Sequence, residues 1–184
     1  IAHLDLGGGV GIRYDDETTI DIASYIGAVL DKVGDLDIIL EPGRAIVGNA
    51  GAFVTKVEFL KQNSDKSFAI IDGAMNDLLR PAFYNAYHQV LPVSEKAKGT
   101  KASWDLVGPI CETGDFLAKD RQLSLSEGDY LALMSAGAYG FTMSSNYNSR
   151  PRVAEVMVSD TTHHLIRKRE TIQDLFNTES VIND

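Results

Sequence analysis

The chain is 184 residues long, with 26 acidic side chains against 17 basic ones and a formal charge of −9. That balance argues against nucleic acid and anionic membrane surfaces, which are held by basic patches, while leaving room for an anionic small molecule in one local pocket. The single cysteine, Cys111, cannot form an intrachain disulfide, which points to a reducing, cytoplasmic compartment, and no apolar run approaches bilayer-spanning length.

The chain opens "IAHLDLG", without an initiator Met and inside a predicted strand (residues 3–6), and so reads as a piece of a longer protein. Its length suffices to bury a core in one or two domains. Three glycines, Gly7 to Gly9, follow that strand in "HLDLGGGVGIRY". Bare backbone at a strand end lets amide N–H groups approach a ligand, most often a phosphate, although a tight turn needing φ > 0 also explains one or two glycines. "TTIDIASYIGAVLDKV" (18–33) then places Ile22, Ile26, Val29, Leu30 and Val33 on one helical stripe, with Thr18, Thr19 and Asp21 available as caps. "DIIL" (37–40) is a second short strand, so the opening reads as a βαβ unit with a parallel pair.

After "EPGR" (41–44) the rhythm changes. Runs at 52–62, 67–72, 88–95, 104–109, 129–137 and 154–160 are β-rich and separated by turn residues, which predicts a mostly antiparallel domain. "IRKRE" (166–170) reads as a solvated strand face, and "TIQDLFNTES" (171–180) as a closing helix. His3, His88, His163 and His164 show no metal-ligand spacing. The first part is thus the tail of a barrel-like or doubly wound α/β fold. In such folds ligands bind beyond the carboxyl ends of parallel strands, so the Gly7–Gly9 and 41–44 loops become neighbours on one face. The Pro42-Gly43 turn would aim its N–H groups at the same anion, with Arg44 adding charge. Neither a GxGxxG fingerprint nor a P-loop is present, so nucleotide binding is the weaker reading.

"LDLGGGVGIRY", "EPGRAIVGNAG", "DGAMNDLLRPAFYNAYH", "GPICETGDFLAKDR" and "GAYGFTMSSNYNSRP", in this order, resemble the bacterial diaminopimelate decarboxylases, pyridoxal-phosphate enzymes with an alanine-racemase-type barrel. The resemblance implies the last βα units of a TIM-like barrel (1–48), a β-barrel or sandwich domain (49–170), and a closing helix and tail (171–184). It also implies pyridoxal phosphate as cofactor, an amino-acid substrate, and a homodimer with shared active sites. By resemblance, Gly8, Gly9 and the Glu41, Pro42, Gly43, Arg44 turn grip the cofactor phosphate, and Tyr139 adds a hydroxyl contact there and to substrate. Arg44, Arg80 and Tyr84 look like ligands of the substrate carboxylate, since the planar Arg fork makes paired, charge-assisted bonds. Glu112 would take the distal ammonium of diaminopimelate. Cys111 would donate a proton to the reacting carbon or shape its face.

From the residues alone, Arg80 before Pro81 is also readable as a surface turn, Cys111 as a small buried hydrophobe, and Tyr139 as a packing residue. The family's Schiff-base lysine and its ring-stacking histidine have no counterpart in a matching motif here, so the chain alone is expected to be inactive. The alternatives are a related ornithine- or arginine-type decarboxylase, and a non-catalytic dimerisation module. "CETGD" favours diaminopimelate, because ornithine-specific relatives carry an aspartate after this cysteine.

Overall fold

The computed structural model describes residues 1–94 and 99–182. Strand β1 (His3–Asp5) pairs in parallel with β2 (Asp37–Ile39), and helix α1 (Ile22–Val33) connects them, as the periodicity predicts. Asp21 caps α1 by accepting the Ser24 N–H at 2.8 Å. The expected apolar stripe is only partly covered: Ile26, Val29 and Val33 are half-buried, whereas Ile22 and Leu30 are 55% and 51% exposed. A two-stranded sheet is too narrow to cover a helix face of this width, and no other described element lies on it.

Helix α2 (Gly43–Val47) and a 3₁₀ turn (Gly48–Ala50) lead into the β-rich part. There follow β3 (Phe53–Gln62), β4 (Ser67–Ile71), the short helix α3 (Arg80–Tyr84), β5 (Val90–Pro92), β6 (Thr100–Val107), β7 (Phe116–Leu125) and β8 (Tyr130–Leu133). These six strands form one sheet in the order β5-β8-β3-β4-β6-β7, antiparallel except at β4–β6. β3 changes partner midway: Phe53–Lys56 pair with β8, and from Val57 onward it pairs with β4. Near the two edges, Arg121 of β7 donates to the His88 carbonyl at 3.5 Å and stacks over Tyr87, just before β5, so the sheet curls into a nearly closed, barrel-like form. Val57, Ile71, Trp104, Leu106, Leu117, Leu125, Leu131 and Leu133 fill its interior with no more than 1% exposure, each contributing about 1.5–3 kcal/mol of burial. A hairpin of β9 (Glu155–Ser159) and β10 (Thr162–Arg167) follows as a separate sheet.

Several expectations need correction. β7 escapes a periodicity search because Lys119, Asp120 and Arg121 interrupt its apolar alternation. They form a bulge, with Asp120 at φ 56° and its N–H donated to buried Asp105 at 2.8 Å. The predicted strands at 88–95 and 129–137 shrink to Val90–Pro92 and Tyr130–Leu133, and that at 104–109 starts earlier, at Thr100. The expected helix over 171–180 is only a 3₁₀ turn, Gln173–Leu175. Thr171 and Asp174 exchange side chain-to-backbone hydrogen bonds, and Asn177 binds Asp174, so local side chains outcompete a helix. Residue 95 of the predicted strand and the last two residues of the 171–184 tail lie outside the described residues.

The βαβ unit meets the sheet at two glycines. Ala136 N–H donates to Gly51 O at 2.8 Å and Gly137 N–H to Gly48 O at 3.0 Å. A Cβ on Gly137 would overlap the Val47 carbonyl oxygen, and one on Gly51 would lie 2.6 Å from Gly137 N. Gly137→Ala should therefore destabilise by about 1–3 kcal/mol through backbone displacement, read as a lower denaturant midpoint. Leu117→Ala, which empties a fully buried core position, should cost about 2–5 kcal/mol in the same measurement.

Candidate active site

The loops at the carboxyl ends of β1 and β2 are hydrogen-bonded to one another: Glu41 N–H donates to Gly7 O at 2.7 Å, and Asp5 Oδ1 accepts the Gly7 N–H at 2.7 Å. They enclose a cavity of about 330 Å³, lined by Gly8, Gly9 and Val10 from the first loop and by Glu41, Pro42, Gly43 and Arg44 from the second. Tyr139, from the loop after β8, lines it as well. Gly8 approaches Glu41 so closely that a Cβ would lie 2.9 Å from the Glu41 carbonyl oxygen, and Gly9 adopts φ +86°. Tyr139 is itself left-handed, at φ 60°, a conformation a non-glycine residue keeps only where its surroundings over-determine it.

Glycine backbone, an arginine and a tyrosine lining one cavity supply the kinds of group that hold a phosphate ester. The N–H groups of Gly8, Gly9 and Val10 have no hydrogen-bond partner among the described residues. The 41–44 turn contributes differently from expectation. Gly43 N–H folds back on Glu41 O at 2.8 Å around Pro42, and Glu41 N–H is spent on Gly7, so this turn offers the Arg44 side chain rather than those two amides. Arg44 has no acidic partner among the described residues.

Arg80 and Tyr84 both lie on α3, outside this lining. Arg80 is buried, at 9% exposure, with its guanidinium over the Tyr14 ring at 4.8 Å and Nη1 3.2 Å from His88 Nε2. It too lacks a carboxylate partner among the described residues. A buried guanidinium without a counter-ion is costly unless a ligand supplies one. Tyr84 is exposed and packs edge-on against Phe83. His88 is fully buried, which holds its imidazole below its ordinary pKa, with the Met134 carbonyl pulling the other way.

Cys111 and Glu112 form the exposed apex of the β6–β7 loop. Glu112 N–H donates to Ile110 O at 2.8 Å, and the Glu112 carboxylate accepts the Gly114 N–H at 3.1 Å and faces the Tyr147 hydroxyl at 3.4 Å. The loop is shaped from beneath by Asp115, whose two carboxylate oxygens accept Met75 N–H at 2.7 Å and Ile110 N–H at 2.9 Å; burial pushes its pKa up against those two bonds. Arg150 then ties the same region to Asn76 Oδ1 at 2.9 Å and to Asp72 O at 2.8 Å. Sequence reading missed Tyr14, His88, Asp115 and Arg150; the one available signal was their position within the quoted motifs. A second cavity, of about 250 Å³, lies at the β3–β4 turn beside Lys66 and Asp105, whose charges are already paired at 2.7 Å.

Residues 14–137 match the pyridoxal-dependent decarboxylase C-terminal sheet domain. The chain is 56% identical to the diaminopimelate decarboxylase of Vibrio cholerae, over 99% of its own length and 44% of the relative's. It is 54% identical to that of Haemophilus influenzae, over 99% and 45%. The crystal structure of diaminopimelate decarboxylase from Helicobacter pylori complexed with L-lysine superposes with a TM-score of 0.87 at 41% identity, covering 95% of this chain and 43% of that one. The chain thus spans less than half the length of the curated relatives it matches. On these grounds the chain belongs to the pyridoxal-dependent decarboxylases and contains their C-terminal sheet domain.

Proposed function

We propose that this chain is the C-terminal part of an enzyme that decarboxylates meso-2,6-diaminopimelate to L-lysine and CO₂. In this reading residues 1–48 are the last βα units of a TIM-like barrel, 49–170 the sheet domain and 171–184 its tail. One observation carries it: two loops separated by α1 converge with Tyr139, nearly a hundred residues further on, around a single cavity. Pyridoxal phosphate, when bound, supplies a conjugated sink for the electrons left by departing CO₂.

The residues of this chain would do the rest. Gly8, Gly9 and Arg44 would hold the phosphate, with the Tyr139 hydroxyl beside them. Arg80, with Arg44, Tyr84 and Tyr139, would receive the substrate carboxylate that remains. Glu112 would take the distal ammonium, and the Cys111 thiol would return a proton to the substrate's α-carbon. Cys111 and Glu112 are exposed and outside the cavity lined by Gly8, Gly9 and Arg44, which suits a homodimer whose active sites are completed by a second copy. An exposed thiol with no partner suits a cytoplasmic setting.

The direct test is CO₂ release from meso-diaminopimelate by the full-length protein with added pyridoxal phosphate. Absence of turnover with this substrate, beside turnover with ornithine or arginine, would overturn the substrate assignment. Gly9→Ala, which must leave its left-handed backbone, should weaken pyridoxal phosphate binding by about tenfold or more, followed by cofactor absorbance. Glu112→Gln should leave that binding unchanged while lowering kcat/KM for diaminopimelate by the equivalent of about 2–5 kcal/mol, the usual loss for one partner of a desolvated charge pair.

A further inference from the structure

His88 is the only histidine among the described residues whose side chain is wholly buried, and its two ring nitrogens are used in different ways. Nδ1 lies 2.8 Å from the Met134 carbonyl oxygen, which can only accept, so Nδ1 carries the proton. Nε2 is then a bare lone pair, 3.2 Å from Arg80 Nη1, which can only donate. The Tyr14 ring meets His88 edge-on at 5.5 Å and lies under the Arg80 guanidinium at 4.8 Å. The charged groups around the imidazole are both cationic: Arg80 from α3, and Arg121 from β7, whose Nη2 reaches the His88 carbonyl at 3.5 Å. The phenol of Tyr14 completes the surroundings. Burial and the two cations disfavour an imidazolium, against the pull of the Met134 carbonyl, and an acceptor at Nδ1 facing a donor at Nε2 fixes the neutral ring in one tautomer.

We infer that His88 is a positioning residue for Arg80, a fixed neutral acceptor that orients the guanidinium so its other donors face a substrate carboxylate. A carboxylate in place of His88 would have neutralised Arg80 and competed with the ligand. An imidazole lone pair aligns the guanidinium without cancelling its charge. Of the five guanidinium N–H donors, His88 takes one, and the Tyr14 face restricts rotation of the plane. His88 lies eight residues beyond Arg80 on the far side of a left-handed Asn85, so the link is made by the fold and not by helix spacing.

The inference rests on the proposal that Arg80 receives a substrate carboxylate, and the test separates the two. In the full-length holoenzyme, L-lysine and cadaverine are compared as ligands by isothermal titration; cadaverine is L-lysine without its carboxylate. Arg80→Ala should remove the preference for L-lysine. If it does not, the carboxylate assignment fails, and with it this inference. His88→Asn keeps a donor near Met134 but loses the acceptor facing Arg80. It should weaken L-lysine binding about tenfold while leaving cadaverine binding and cofactor absorbance unchanged. His88→Gln, which returns an acceptor near the Nε2 position, should restore most of that loss. If Arg80→Ala abolishes the preference while His88→Asn leaves it intact, or if both His88 variants weaken the two ligands equally, His88 does not position Arg80. Selective ¹⁵N-histidine spectra of the wild-type protein read the tautomer even if a variant fails to fold. A bare Nε2 at pH 7 to 8 is expected, and a protonated one overturns the inference.

Discussion

At Gly51 and Gly137 two stretches of backbone pass where no side chain could fit, and the rest of the site depends on that approach. The Gly51–Ala136 and Gly48–Gly137 hydrogen bonds seat α2 against the loop after β8, and that loop brings Tyr139 to the cavity that Gly8 and Gly9 line. Asn49 adds a further tie, donating to Arg13 O at 2.8 Å and to Ser135 Oγ at 2.7 Å. With its flanks held this way, the loop can keep Ser135 and Tyr139 in left-handed conformations. The cavity belongs to neither the βαβ unit nor the sheet alone.

Charge is divided by role. The chain has a large excess of acids, and its buried ones are satisfied locally: Asp105 by Lys66 and the Asp120 amide, Asp77 by Arg150 and the Ala74 amide, and Asp115 by two backbone N–H groups. Arg44 and Arg80, in contrast, meet no carboxylate among the described residues. In a chain of net charge −9 that absence reflects placement rather than scarcity of acids. Stacking on Tyr14 and a bond to a neutral imidazole hold Arg80 in place while keeping its charge available for an incoming anion.

The loop carrying Cys111 and Glu112 is held from behind by side-chain hydrogen bonds. Asp115 links the "DGAMND" and "CETGD" segments through Met75 and Ile110, and Arg150 joins "NSRP" to Asn76 and Asp72. Cys111 and Glu112 can then stand at an exposed apex without the loop collapsing. Exposed reactive groups on loops positioned by a rigid scaffold are a general solution for binding and catalysis.

Local pattern determined what depends on nearby residues. The 3.6-residue stripe with Asp21 gave α1, short apolar runs bounded by turns gave β1 to β4, and glycines at a strand end marked the cradle. Motif content likewise singled out Gly8, Gly9, Glu41 to Arg44 and Tyr139, which the fold collects in one cavity. What local pattern could not reveal was set by distant partners. The bulged β7 is a strand because β6 pairs with it despite its charges, β4 and β6 run parallel only through the connection between them, and of the α1 stripe Ile26, Val29 and Val33 are half-buried while Ile22 and Leu30 are exposed. His88 showed no ligand spacing because its partners are brought to it by the fold, Arg80 across the left-handed turn at Asn85 and Met134 by the pairing of β5 with β8. Hydrogen bonds between residues 46 positions apart leave no period in a sequence, so only the tertiary structure decided which histidine mattered and what it faces.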